Sequence, residues 1–188
     1  MVIAIIAILA AIIAPNAFRA IKKAQISKTV ADFKAIKSAA LSYFADTGQW
    51  VTSHYITDGN GPLFKDPGVS EWNGPYLETY RKSPLVQPRV AGGSLPGWYF
   101  ILRDNQMYDS TFDLDRDGIY DINDSISVCC FGFPAKDAYR LDEILDGKGE
   151  WGYLGSVNVI RIWSTSPEDT YYLVSLLIGQ TGVSRGSR

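Results

Sequence analysis

The sequence is poor in the residues that most often build catalytic and metal centres. Histidine occurs once, as His54, and cysteine only as the adjacent pair Cys129 and Cys130. A single histidine excludes histidine-rich metal sites, and we expect His54 in a surface or packing role. Neighbouring cysteines cannot join distant segments, so they form either a strained vicinal disulfide or, as we expect, two buried thiols. No phosphate-binding glycine loop or nucleophile elbow is present, and we expect no catalytic residue.

Charge is also missing from one end of the chain. The first fourteen residues carry no charged side chain, whereas residues 19–37 hold six cations and one acid. Residues 104–124 reverse the sign, with seven aspartates and one arginine. The net charge of -2 gives no argument for binding nucleic acid. Charge is therefore distributed unevenly along the chain, from an apolar end through a basic neck to an acidic loop.

The apolar end is too short to span a bilayer as a helix, which takes about 20 residues. It could be a signal peptide, a core helix or a membrane helix that lacks its beginning. A signal peptide needs a basic region before the apolar run, and only Met1 stands there. A core helix would need a larger apolar environment than one domain supplies. We favour the third interpretation.

A helical pattern continues beyond the apolar run. Apolar residues recur at steps of three and four from Phe18 to Phe44, and Gly48 provides a stop signal. Residues 2–45 are therefore predicted to form one helix about 65 Å long. Pro15 is predicted to interrupt it, because proline lacks the N–H group and clashes with the preceding turn.

The stretch from residue 1 to residue 50 resembles the N-terminal helix of type IV pilins and type II secretion pseudopilins, above all the major pseudopilin. Trp72-Asn-Gly-Pro-Tyr-Leu77 resembles a "WxGPYL" element of their heads. The resemblance implies a transmembrane or filament-core segment at 1–24 and a pilin-like head at 25–188. The basic leader, the cleavage point and the early glutamate of that family are not found, so Met1 is expected to fall inside the family's helix.

The head is predicted to be α+β, with the long helix packed on a small antiparallel sheet. It would comprise the second half of the helix (25–46), a variable loop region (47–97), a sheet with a calcium loop (98–178) and a frayed tail (179–188). A short helix is considered near 63–64 or 75–80. Strands are predicted at 98–102, 125–130 and 156–163, and 171–178 is either a strand, which composition favours, or a short helix.

Residues 113–124 have the spacing of a calcium loop. Carboxylates occupy loop positions 1, 3, 5, 9 and 12, and Gly118 at position 6 allows the sharp turn. The predicted ligands are Asp113, Asp115, Asp117, the backbone carbonyl of Ile119, Asp121 and Asp124. Asp124 is shorter than the usual glutamate. The alternative is a solvated acidic turn, but so many close carboxylates repel one another unless a cation screens them. Ca²⁺ is favoured over Mg²⁺, which takes fewer protein ligands.

A second acidic group is expected to be a solvated face rather than a second site. Its members are Asp137, Asp142, Glu143 and Asp146. The plentiful aromatic residues are expected in core and interface packing, with carbohydrate binding as the alternative.

These features predict a filament subunit, a type II secretion major pseudopilin or a type IV pilin-like protein, that is not an enzyme. Its partners would be copies of itself in a helical filament, the inner membrane, and other pseudopilins or the pilus assembly machinery. Charge bias alone would place the neck in the cytoplasm. The resemblance instead implies a bacterial inner-membrane protein with a periplasmic head, or a cell-surface filament. The alternatives are a membrane-anchored calcium-dependent binding module that does not polymerise, and an anchored enzyme.

Overall fold

The fold is a long helix packed on one antiparallel sheet, with a second, shorter helix beside it. The elements are α1 (Val2–Thr47), β1 (His54–Tyr55), β2 (Phe100–Arg103), β3 (Ser125–Pro134), α2 (Ala135–Asp146), β4 (Val157–Ile162) and β5 (Tyr171–Gln180). This computed structural model describes residues 2–51, 54–56, 59–79, 83–85, 100–103, 111–122, 125–147, 152, 155–162 and 171–180. The predicted α+β class is confirmed.

Helix α1 is unbroken, and the predicted interruption at Pro15 is wrong. Proline removes one backbone hydrogen bond, but its fixed φ near −65° is that of a helix, so the helical turns continue on either side of it. The helix ends as predicted: Gly48 has a φ of 67°, and its N–H donates to the carbonyl of Phe44 at 2.8 Å. None of the helices in the described ranges combines the length and apolar content that a membrane crossing requires.

The two halves of α1 meet different surroundings. Every described side chain before Gln25 is exposed, whereas beyond it one stripe is buried. That stripe consists of Thr29, Val30, Asp32, Phe33, Ile36, Ala39, Ala40 and Tyr43. The Phe33 ring meets the Phe100 ring edge-on with centroids 4.9 Å apart, which joins the helix to β2. The second half of α1 is thus part of the head's core.

The sheet has four main strands and a two-residue edge strand, in the order β1-β2-β3-β5-β4, with every pair antiparallel. Strands β2, β3, β4 and β5 lie where the sequence predicts strands, although 98, 99 and 163 fall outside the described residues. The alternative of a helix at 171–178 is wrong, because this segment pairs along its length with β3 and β4. The strand continues to Gln180, and 181–188 lie outside the described residues.

Helix α2 follows β3 directly and packs on the same core as α1. Ala138 and Leu141 are buried in the apolar cluster that includes Phe33. The helix ends at Gly147, which has a φ of 86° and donates its N–H to the carbonyl of Glu143. The strand β1 was not predicted, and the short helix considered near 63–64 is a turn, as is normal for a segment rich in glycine and proline. No helix forms over the described residues 75–79 either.

The element at Trp72–Leu77 connects the loop region to α1 through hydrogen bonds and ring contacts. The Tyr76 hydroxyl donates to Asp46 at 2.8 Å, and its ring meets Tyr43 edge-on at 5.7 Å. The Trp72 indole N–H donates to the carbonyl of Pro62 at 2.9 Å, and Leu77 is buried. The aromatic residues of this element therefore serve packing, as expected.

Cys129 and Cys130 are both free and buried, which confirms the predicted thiols. They point to opposite faces of β3, as neighbours in a strand must. Burial raises the pKa of the Cys130 thiol, and the negative charge of Asp32 adds to the effect. Because the thiolate is the reactive form, burial and the raised pKa both disfavour reaction of the Cys130 thiol.

Candidate metal centre

The acidic loop is closed at its base by two short segments that pair like a hairpin. Phe112 and Ile122 exchange both backbone hydrogen bonds, at 2.8 and 3.0 Å. Phe112 is fully buried, so the base of the loop is part of the core, whereas the tip of the loop, including Ile119, is exposed. Gly118 has a φ of 91°, the left-handed conformation that glycine adopts without strain, and the predicted sharp turn is present.

Three of the predicted ligands come together. Carboxylate oxygens of Asp113, Asp115 and Asp117 lie within 4.8 Å of one another. Asp113 is buried, and Asp115 and Asp117 are exposed. Across the described part of the chain, this is the one group of three or more acidic, histidine or cysteine side chains with such spacing.

Backbone N–H groups of the loop hold the carboxylates in place. Asp113 accepts from the N–H of Arg116 at 2.7 Å and of Gly118 at 2.9 Å, one at each oxygen. Asp115 accepts from the N–H of Asp117, and Asp117 from that of Ile119 at 2.7 Å. Each carboxylate keeps unused lone pairs, because two oxygens offer about four acceptor directions. The donor set is oxygen only and negatively charged, so it fits a hard cation such as Ca²⁺.

The remaining predicted ligands stand differently. Asp121 lies outside the three-carboxylate cluster and accepts instead from the N–H groups of Leu114 at 2.7 Å and Asp115 at 3.4 Å. Ile119 lies at the exposed tip of the loop, and its role as a carbonyl ligand stays a prediction. Asp124 lies outside the described residues.

The loop is joined to β4, to the turn before β4 and to the end of α2. The carbonyl of Asp113 accepts from the N–H of Gly155 at 2.6 Å, and the carbonyl of Thr111 accepts from the Asn158 side-chain amide at 2.8 Å. The Arg116 guanidinium reaches Asp146 at 3.0 Å. These contacts fix both the position and the orientation of the loop against the head.

The second acidic group is not the predicted solvated face. Asp137 and Asp142 are buried on α2, and only Glu143 matches the expectation, in an exposed pair with Arg140. Asp137 accepts from Lys22 of α1 at 2.5 Å. Sequence spacing could not predict this ion pair, because Lys22 lies 115 residues away from Asp137 in the chain.

The comparisons with known proteins bear on one part of the chain. Residues 20–87 match the family described as PilW, C-terminal. The match spans the second half of α1 and the Trp72–Leu77 element, and it makes this segment similar to a pilus-related family. Neither the search of curated proteins nor the search of solved structures found a match.

Proposed function

We propose that this chain is a structural subunit of a pilin-like filament, either a type II secretion major pseudopilin or a type IV pilin-like protein, with a head that calcium stabilises. The observation that carries the proposal is the exposure of large apolar side chains along the first half of α1. They are Ile3, Ile5, Ile6, Leu9, Ile13, Phe18 and Ile21, each more than half exposed. Large apolar side chains exposed in such number along one helix mark an interaction site.

The rest of the molecule supports assembly through α1. The helix is continuous from its exposed apolar part to the stripe that is buried in the head's core. The pilus-related similarity begins on the same helix. Copies packed side by side through their apolar halves would shelter these residues and leave the heads outside.

Detergent removal from the purified full chain tests assembly. We expect helical filaments by electron microscopy, and Ile13→Asp should abolish them because it places a charge on the packing surface. Ile144→Asp is the matched control, since Ile144 is also an exposed isoleucine but lies on the head. A detergent-free monomer would overturn the proposal. A monomer that still needs detergent and never polymerises would favour the membrane-anchored binding module.

Calcium chelation tests the second half of the proposal. A ligand that binds only the folded state at one hundred times its dissociation constant stabilises it by about 2.7 kcal/mol. For a chain of this size that corresponds to a melting temperature roughly 5–10 °C higher. We therefore expect EGTA to lower the melting temperature of the full chain in detergent by that amount, with recovery on adding Ca²⁺ but not Mg²⁺. An unchanged melting temperature would remove calcium from the proposal.

A further inference from the structure

The acidic loop contains a cation of its own. Arg116 lies between Asp115 and Asp117 and is the one basic residue from 113 to 124. Its φ of 68° is in the left-handed region, which is uncommon for a residue with a side chain. A guanidinium folded over three carboxylates would form charge-assisted hydrogen bonds with them and compete with any metal ion.

The structure directs that guanidinium elsewhere. Arg116 Nη2 lies 3.0 Å from Asp146 Oδ2, and the two side chains are only 21% and 16% exposed. Asp146 is the last residue of α2, and the N–H and hydroxyl of Ser156 also donate to it, at 3.2 and 2.9 Å. Asp146 is thus a fixed acceptor rather than a mobile surface acid.

The turn before β4 leaves room for this pair. A Cβ at Gly155 would lie 1.8 Å from Asp146 Oδ2 and 3.1 Å from Arg116 Nη2, so no other residue fits there without moving the pair. The same glycine donates its N–H to the carbonyl of Asp113. One turn therefore positions both the first predicted ligand and the acceptor of the competing cation.

We propose that Asp146 is a positioning residue that sets the calcium affinity of the loop by holding the Arg116 guanidinium away from the cluster of Asp113, Asp115 and Asp117. This inference rests on the proposed calcium binding. Without the Asp146 charge, the carboxylates of Asp115 and Asp117, which flank Arg116 in the sequence, remain to attract its guanidinium. Calcium would then have to displace an internal cation.

Calcium titration of the full chain in detergent tests the inference with three variants. Asp146→Asn keeps the shape of the side chain and an acceptor for Ser156 but removes the charge, and we expect about tenfold weaker binding. Arg116→Gln removes the competitor and should bind calcium at least as tightly as the wild type. The double variant, Arg116→Gln with Asp146→Asn, should recover the affinity of Arg116→Gln, because no cation remains to be released. Glu143→Gln, in the exposed pair on the same helix, should change nothing.

The outcomes separate this inference from the proposed function. If Arg116→Gln weakens binding as much as Asp146→Asn does, the pair is only an anchor and the inference is wrong. Wild-type affinity in Asp146→Asn overturns it as well. If the wild type itself binds no calcium, the calcium part of the proposed function fails together with it. Melting temperatures without metal show whether each variant is folded.

Discussion

The loop at 113–121 and helix α2 each carry four acidic side chains, yet the two groups have different partners. On α2, Asp137 pairs with Lys22 and Asp146 with Arg116. In the loop, carboxylate oxygens of three aspartates lie within 4.8 Å of one another. The hydrogen bonds that hold these carboxylates come from backbone N–H groups. The loop's own cation is paired with α2 instead.

The difference shows what an acidic cluster needs before it suggests a metal. Acids that receive a cation from the same chain are structural, because the pair satisfies both charges when they are buried. Acids held together by backbone N–H groups alone keep their mutual repulsion, which an external cation would relieve. Density of aspartate in the sequence does not distinguish the two cases.

The largest expected effect comes from removing the buried member of the loop group. Asp113→Asn loses a charge and one of the two oxygens that accept backbone N–H groups. We expect calcium affinity to fall at least a hundredfold, about 2.7 kcal/mol, by calorimetric titration. Asp66→Asn is the control, since Asp66 also accepts a backbone N–H, from Gly68, but is exposed and lies outside the cluster. Equal affinity in both variants would contradict a metal centre in the loop.

A smaller effect is expected where the chain supplies the cation. Lys22→Met leaves Asp137, whose side chain is 6% exposed, without its partner. Breaking a buried pair costs about 3–5 kcal/mol, but Lys22 is nearly half exposed, so we expect a loss of about 2 kcal/mol in the free energy of unfolding. Urea unfolding measures it.

Lys23→Met is the matched control, because Lys23 is exposed and adjacent in the sequence. It should change the free energy of unfolding by no more than about 0.5 kcal/mol. Calcium affinity should stay the same in both lysine variants. Equal stability of the two would mean that Asp137 does not depend on Lys22.

The smallest effect is expected at the exposed pair of α2. Arg140 and Glu143 form an ion pair with side chains 54% and 50% exposed. Such pairs contribute about 0.3–0.5 kcal/mol, so Arg140→Gln should barely move the urea midpoint. A loss as large as that of Lys22→Met would show that the contribution of these ion pairs to the free energy of unfolding does not depend on burial.

Local patterns in the sequence were sufficient for most of the fold. The three- and four-residue periodicity of α1, its stop at Gly48 and the four main strands follow from residue preferences over short windows. Two local predictions were wrong: Pro15 does not break the helix, and the short helix considered near 63–64 or 75–80 forms neither at 63–64 nor over the described residues 75–79. At Pro15 the flanking helical turns outweighed a local preference, whereas near 63–64 the glycine- and proline-rich sequence itself favours a turn.

The sequence by itself determined the apolar end, the long helix, the four main strands and the spacing of the loop aspartates, because each depends on neighbours a few residues apart. Only the tertiary structure decided which acids are paired. Lys22 meets Asp137 across 115 residues, and Arg116 meets Asp146 across 30. Coulombic attraction depends on distance in space, so only packing α1, α2 and the loop on one head brings those charges together.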